Sequence, residues 1–224
     1  MLVMGVVTPA GGVLAADEKP LPVPQPSPVS PAAQSPETDA LPGEELSCRA
    51  QLERLGARFS EVEPISDGSG CAIAYPISLQ ELPGGVSLRR GVVLNCATAH
   101  AVAQWTSAVV APTAHEIYRS PLARISVFSA YQCRLRNSQT NERLSEHATG
   151  NAIDIGGFEL VNDKVIEVGF PAERERRRKR FLAVVREAAC RYFTTVLGPG
   201  SDSYHNNHFH LDLAERSGGS RYCR

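Results

Sequence analysis

The chain has 224 residues, enough for one to one and a half domains of about 100–200 residues each, and is 42% hydrophobic and 21% charged, which suits a globular protein with a buried core. Its 23 Lys and Arg against 24 Asp and Glu leave a formal charge of -1, which argues against a dedicated nucleic-acid binder. No apolar run approaches the roughly 18 residues that span a bilayer, which excludes a multi-pass membrane protein.

Residues 2–15, LVMGVVTPAGGVLA, are uncharged and largely apolar, and Val13-Leu14-Ala15 resembles a small-residue cleavage site. Residues 1–16 are expected to be a signal peptide, although Pro9, Gly11 and Gly12 interrupt the apolar stretch and no basic residues precede it. Residues 17–43 follow as a proline-rich linker, with eight of the sixteen prolines between 19 and 42. Such a segment cannot bury enough apolar surface to fold, so an extended tether is expected. The folded domain then occupies 44–224.

Within that domain Leu46, Leu52, Leu55 and Phe59 lie on one helical stripe, predicting a helix from Glu44 to Phe59. Residues 72–77, AIAYPI, suit a short strand that Pro76 places at an edge. Residues 97–110 read as a helix ending before Pro112, with Val102, Trp105 and Val109 on its buried side. His100 and His115 accompany this helix as ordinary surface or capping residues. Strands are expected at 124–131, 151–158 and 164–169, a helix at 180–196, a loop at 197–203 and a closing strand at 208–213. This order predicts an α+β fold in which a small antiparallel sheet is flanked by helices. The run ERERRRKR (173–180) reads as a solvated face.

All six cysteines, at 48, 71, 96, 133, 190 and 223, follow the tether. Their number is even and no C-x-x-C pair occurs, so disulfides are favoured over a zinc–thiolate site. A Cys190–Cys223 bond is expected, because it would pin the C-terminal tail to a helix. Disulfides require an oxidising compartment, which predicts a periplasmic or secreted, monomeric protein.

Four of the six histidines fall in two short segments. In SEHATGNAID (145–154) a bend at Gly150 lets His147 meet Asp154 at one point, and a buried carboxylate on a strand needs a cation or strong donors. In HNNHFHLD (205–212) a strand would put His208, His210 and Asp212 on one face and Phe209, Leu211 and Leu213 in the core. His147, Asp154 and one of these histidines would supply three ligands with a fourth position open. That is the pattern of catalytic zinc, with iron, manganese or nickel open on ligand type alone.

SEHATGNAID fits the S-x-H-x-x-G-x-A-x-D signature of the lysostaphin, D-Ala-D-Ala carboxypeptidase and hedgehog group of zinc peptidases, and HFHLD resembles their closing motif. More closely, CRLRN (133–137), LSEHATGNAIDI, VLGPGSD, HNNHFHLDL and the terminal Tyr-Cys resemble the bacterial extensin-like C-terminal domain, over essentially 45–224. The resemblance implies one zinc ion held by His147, Asp154 and His210, with His208 as general base or transition-state stabiliser and His205 as an additional active-site histidine. Arg134, or Arg136, would hold a substrate carbonyl or carboxylate. Carboxypeptidase members carry a glutamate three residues before the last ligand; this chain has Asn207 there, which moves the base role to His208. Ser145 and Asp212 would orient the ligands. The resulting expectation is a zinc-dependent peptidase or amidase acting on peptidoglycan peptide crosslinks, without nucleic-acid partners and without a membrane segment beyond an N-terminal signal or anchor. The alternatives are a non-catalytic envelope module binding peptidoglycan or anionic polysaccharide through the same cleft, and a structural matrix protein worked by its tether.

Overall fold

The computed structural model describes residues 41–224; the expected signal peptide and most of the expected tether lie outside the described residues. Helix α1 (Gly43–Leu55) stops at Gly56, whose left-handed φ of 82° lets the chain reverse. The expected helix to Phe59 is therefore too long: Phe59 belongs to strand β1 (Arg58–Glu61), and Leu46 is exposed. Buried Arg49 joins α1 to β1 through Glu61, with Nε to Oε1 at 2.9 Å, and also donates to the Tyr75 carbonyl at 3.2 Å. The strand expected at 72–77 splits at Pro76. Ala72–Ile73 (β3) pairs with Ile65–Ser66 (β2), and Ile77–Leu82 (β4) opens a hairpin with Val86–Leu94 (β5). Gly84 and Gly85, both at positive φ, make its turn.

Helix α2 (Cys96–Trp105) starts where the Asn95 side chain accepts from the Thr98 N–H at 2.8 Å. It does not end before Pro112. One wide π turn (Thr106–Val110) leads directly into α3 (Ala111–Tyr118), giving room to a proline that has no N–H to offer. Strands β6 (Leu122–Ser129), β7 (Ala152–Leu160) and β8 (Val165–Glu167) follow. Helix α4 (Arg176–Ala189) begins inside the basic run and ends earlier than the expected 196, at Cys190. The run is a solvated helix start: Arg178 binds Glu175 and the Glu167 carbonyl, and Arg180 pairs with Glu116. Strands β9 (Thr195–Leu197), β10 (Phe209–Asp212) and β11 (Tyr222–Cys223) complete the chain.

The architecture is α+β, with a mostly antiparallel sheet in the order β1-β4-β5-β6-β7-β10-β9-β11 and β8 also on β7. One edge of the long β7 is shared: β10 covers its first half, from Ala152 to Ile155, and β8 its second, from Gly157 to Glu159. Gly156 between them is a bulge, so Ile153, Ile155 and Phe158 all reach the core despite the uneven spacing. Trp105 is fully buried, donates from Nε1 to the Val185 carbonyl at 3.0 Å, and meets Phe158 and Phe193 edge-on. Disulfides join Cys48–Cys96, Cys71–Cys133 and the expected Cys190–Cys223. Among the described residues no helix is long and apolar enough to cross a membrane.

The turn that feeds β7 is fixed by a glycine. Gly150 has φ 64°, its carbonyl accepts from the Asn95 N–H at 3.0 Å, and a Cβ there would lie 2.7 Å from that same nitrogen and 2.6 Å from Ile73 Cδ1. A side chain would meet both the left-handed penalty and backbone overlap. Gly150→Ala is expected to lower stability by about 2–4 kcal/mol, read as a lower urea midpoint with an unchanged slope.

Candidate metal centre

β7 and β10 pair antiparallel with His210 directly opposite Asp154 and Asp212 opposite Ala152. Cross-strand partners on one face have Cβ atoms about 5 Å apart, so this register alone brings an imidazole and a carboxylate together. The His210 Nδ1 lies 2.9 Å from Asp154 Oδ1, and the small Ala152 leaves room for Asp212 to lean back and take the His210 Nε2 at 2.9 Å. The third group comes from a short 3-10 turn, Glu146–Thr149. Ser145 caps it by accepting from the His147 N–H, and Gly150 closes it in the left-handed region. His147 is fully buried, with Nε2 at 3.2 Å from Asp154 Oδ2 and 3.3 Å from His210 Nδ1.

Hydrogen bonding selects the tautomers. The His147 Nδ1 sits 2.6 Å from the Ala130 carbonyl, which can only accept, so Nδ1 carries the proton. Its Nε2 then presents a lone pair to a carboxylate oxygen 3.2 Å away. Two acceptors in contact inside a protein need a cation between them or a second proton on the ring. Likewise Asp212 holds the Nε2–H of His210 and turns Nδ1 inward. The two facing ring nitrogens are 3.3 Å apart, each has its own oxygen of Asp154 at 3.2 or 2.9 Å, and one donor atom from each of the three residues lies within 4.8 Å of the others. A tetrahedral ion with bonds of about 2.0 Å spaces its ligands by about 3.3 Å, so His147, Asp154 and His210 fit an ion bound by two imidazoles and a carboxylate.

The electrostatics agree. In the metal-free protein burial would raise Asp154, but the ring nitrogens of His147 and His210, acting as donors in place of an ion, override it and hold the carboxyl well below its ordinary range. Burial would depress His210, yet Asp154 and Asp212 outweigh it and push the metal-free imidazole up to about 9. An ion would therefore enter by displacing a proton from His210.

The neighbouring histidines are arranged differently. His208 precedes β10, with Nδ1 on the Asn207 side-chain oxygen at 2.9 Å and Nε2 3.6 Å from Asp154 Oδ1. Asn207, which cannot accept a proton from substrate, thus fixes the His208 tautomer and leaves Nε2 free. Burial lowers the His208 pKa, which favours the neutral ring. His205 is held through Nδ1 by Asp202 at 2.7 Å, also has a pKa lowered chiefly by burial, and its ring lies 5.3 Å from His208 and 5.6 Å from His210. Arg134 reaches Asp154 Oδ2 at 4.0 Å while its Nε binds Gln132 at 3.0 Å. All three groups line the same open cleft of about 330 Å³, together with Arg136, Arg143, Tyr204 and Arg216.

Every residue singled out from the two motifs reaches this cleft or lies directly beneath it. Sequence reasoning missed the Ala130 carbonyl, Asp202 and Arg143. Asp202 had a local signal, since a carboxylate three residues before a histidine suits a capped turn, and its side chain also accepts from the Tyr204 N–H. The Ala130 contact is made by backbone and had none.

The match to the model of the extensin-like protein C-terminus runs over residues 46–224, and the chain belongs to that family. No curated protein and no solved structure matches the chain.

The carboxylate behind His210 offers the cleanest test of the donor geometry. Asp212→Asn keeps the shape but weakens the acceptor that orients the ring, and is expected to reduce zinc affinity about 10–100-fold, measured by competition with a chromophoric chelator, with the far-ultraviolet dichroism unchanged.

Proposed function

We propose that the protein is a zinc-dependent peptidase or amidase of the cell envelope, acting on the peptide crosslinks of peptidoglycan. The observation that carries this reading is the inward-facing lone pair of His147 against the Asp154 carboxylate, completed by His210, with a neutral histidine and an arginine beside the open side. His147, Asp154 and His210 would hold a zinc ion, which when bound would supply Lewis acidity towards water and an amide carbonyl. His208 Nε2, neutral and unengaged, takes the proton of the attacking water and returns it to the leaving amine. The Arg134 guanidinium, on the other side of Asp154, stabilises negative charge developing on the carbonyl oxygen. His205, fixed by Asp202, backs His208 and orders the cleft. The three disulfides support folding in an oxidising compartment, and with it a periplasmic or secreted location.

The four arginines around the cleft favour an anionic ligand, and a non-catalytic module binding such a polymer would use the same surface. Metal content and turnover separate the two. Oxidatively folded protein is expected to contain about one zinc per chain by elemental mass spectrometry, lost in His147→Ala and His210→Ala. It is expected to release new amino groups from crosslinked muropeptides. His208→Ala should keep the zinc and lose about 100-fold or more in turnover. Zinc-loaded protein that binds muropeptides without cleaving them would replace the hydrolase with the binding module.

A further inference from the structure

Phe128 is a large, exposed apolar side chain near the centre that the chemistry above leaves unused, while Leu144 and Leu197 line the cleft itself. Phe128 is 60% exposed, and its ring lies 6.3 Å from that of His208. Two irregularities of the sheet put it there. In β6 Val127 pairs with Ile155 and Ser129 with Asp154, so Phe128 is an extra residue. In β7 Ser126 and Val127 of the neighbour face Gly157 and Ile155, so Gly156 is an extra residue as well. Bulges of this kind re-aim side chains and break the ladder locally. The ring of Phe128 lies over Gly156 so closely that a Cβ there would sit 1.9 Å from its Cε1. An aromatic ring laid over a strand glycine is also a structural device, but as a cover it should bury most of its own area. This ring leaves most of its area in water, next to the imidazole that faces the cleft.

The surroundings state what would lie on it. Arg134 approaches Asp154 Oδ2 and His208 approaches Oδ1, so the centre has a guanidinium on one side and an imidazole backed by Phe128 on the other. Arg136 and Arg143 extend the charged side. A ligand crossing the centre therefore meets cations in one direction and an apolar ring without a hydroxyl in the other.

Resting on the hydrolase reading, we propose that Phe128 is a substrate-positioning residue whose exposed ring receives an aliphatic side chain flanking the amide at the metal centre. Gly156 is the companion requirement, because only a residue without Cβ lets the ring lie down.

Hydroxamates, which bind zinc directly, test this without turnover. Calorimetry on the zinc-loaded full chain compares acetohydroxamate with hexanoylhydroxamate. The longer ligand is expected to bind about tenfold more tightly, as the burial of a few methylenes against a ring allows. Phe128→Ala should remove that gain and leave acetohydroxamate affinity unchanged, whereas Phe128→Leu should keep part of it. Gly156→Ala retains the ring but displaces it, and should also lose the gain. An equal gain in Phe128→Ala, or no gain in the unaltered protein, overturns the proposal. Failure of both ligands alike points instead to the metal reading and overturns the proposal along with it.

Discussion

A shift of one residue between β7 and β10 would turn His210 and Asp212 to the opposite face of the sheet and send Phe209 and Leu211 into the cleft. The register that prevents this is the constraint on which the rest of the centre depends. It is held by apolar residues: Phe209 and Leu211 on β10 and Ile153 and Ile155 on β7 are all buried. The polar face thus inherits its geometry from the core face. With His210 opposite Asp154 and Asp212 opposite Ala152, the pattern of a small residue two before the aspartate acquires a physical reason, since a larger side chain at 152 would occupy the space from which Asp212 reaches His210.

The four histidines of the cleft follow one rule. Each has a ring nitrogen engaged by an acceptor from its own surroundings: Ala130 for His147, Asp212 for His210, Asp202 for His205 and Asn207 for His208. For His147, His208 and His210 the other nitrogen is left to face Asp154. The acceptors differ in charge, and that difference separates the chemistry each ring is suited to. A carboxylate behind His210 makes its inward nitrogen more basic and suits a ligand. A neutral amide behind His208 leaves a ring whose neutral form burial favours, which suits proton transfer.

The two histidine motifs and the meeting of His147 with Asp154 were legible in the sequence because period-two alternation and a glycine bend are local rules, whereas the choice of His210 over His208 as the third donor rested on the family resemblance alone. The Cys190–Cys223 bond was legible because one partner sits at the chain end. Boundaries decided by tertiary contacts were not. Phe59 continues the stripe of α1 by spacing alone, yet Gly56 has already ended the helix. Pro112 reads as a terminator, and only a π turn, with no sequence signature of its own, carries the helix through it. The β4–β5 hairpin carries a local signal in Pro83-Gly84-Gly85, and it enlarges the sheet beyond the small one expected. The paired bulges at Phe128 and Gly156 could not be read at all, since an extra residue in each of two strands is invisible until their register is known.

The centre is assembled from parts of unequal rigidity. Asp154 and His210 sit on paired strands, and His147 on a capped turn anchored through Gly150 to Asn95. Arg134 instead lies on a loop closed by the Leu135–Leu144 bridge and tied at its base by Cys71–Cys133. That disulfide joins the exposed loop to buried Cys71, beside the β2–β3 pair. The candidate donors Asp154 and His210 therefore depend on the hydrophobic register of the sheet, whereas the guanidinium that faces them depends on a covalent bond formed only under oxidising conditions. Such a division leaves the candidate donor set to the fold itself and lets the charged wall of the cleft be completed only where the cysteines can oxidise.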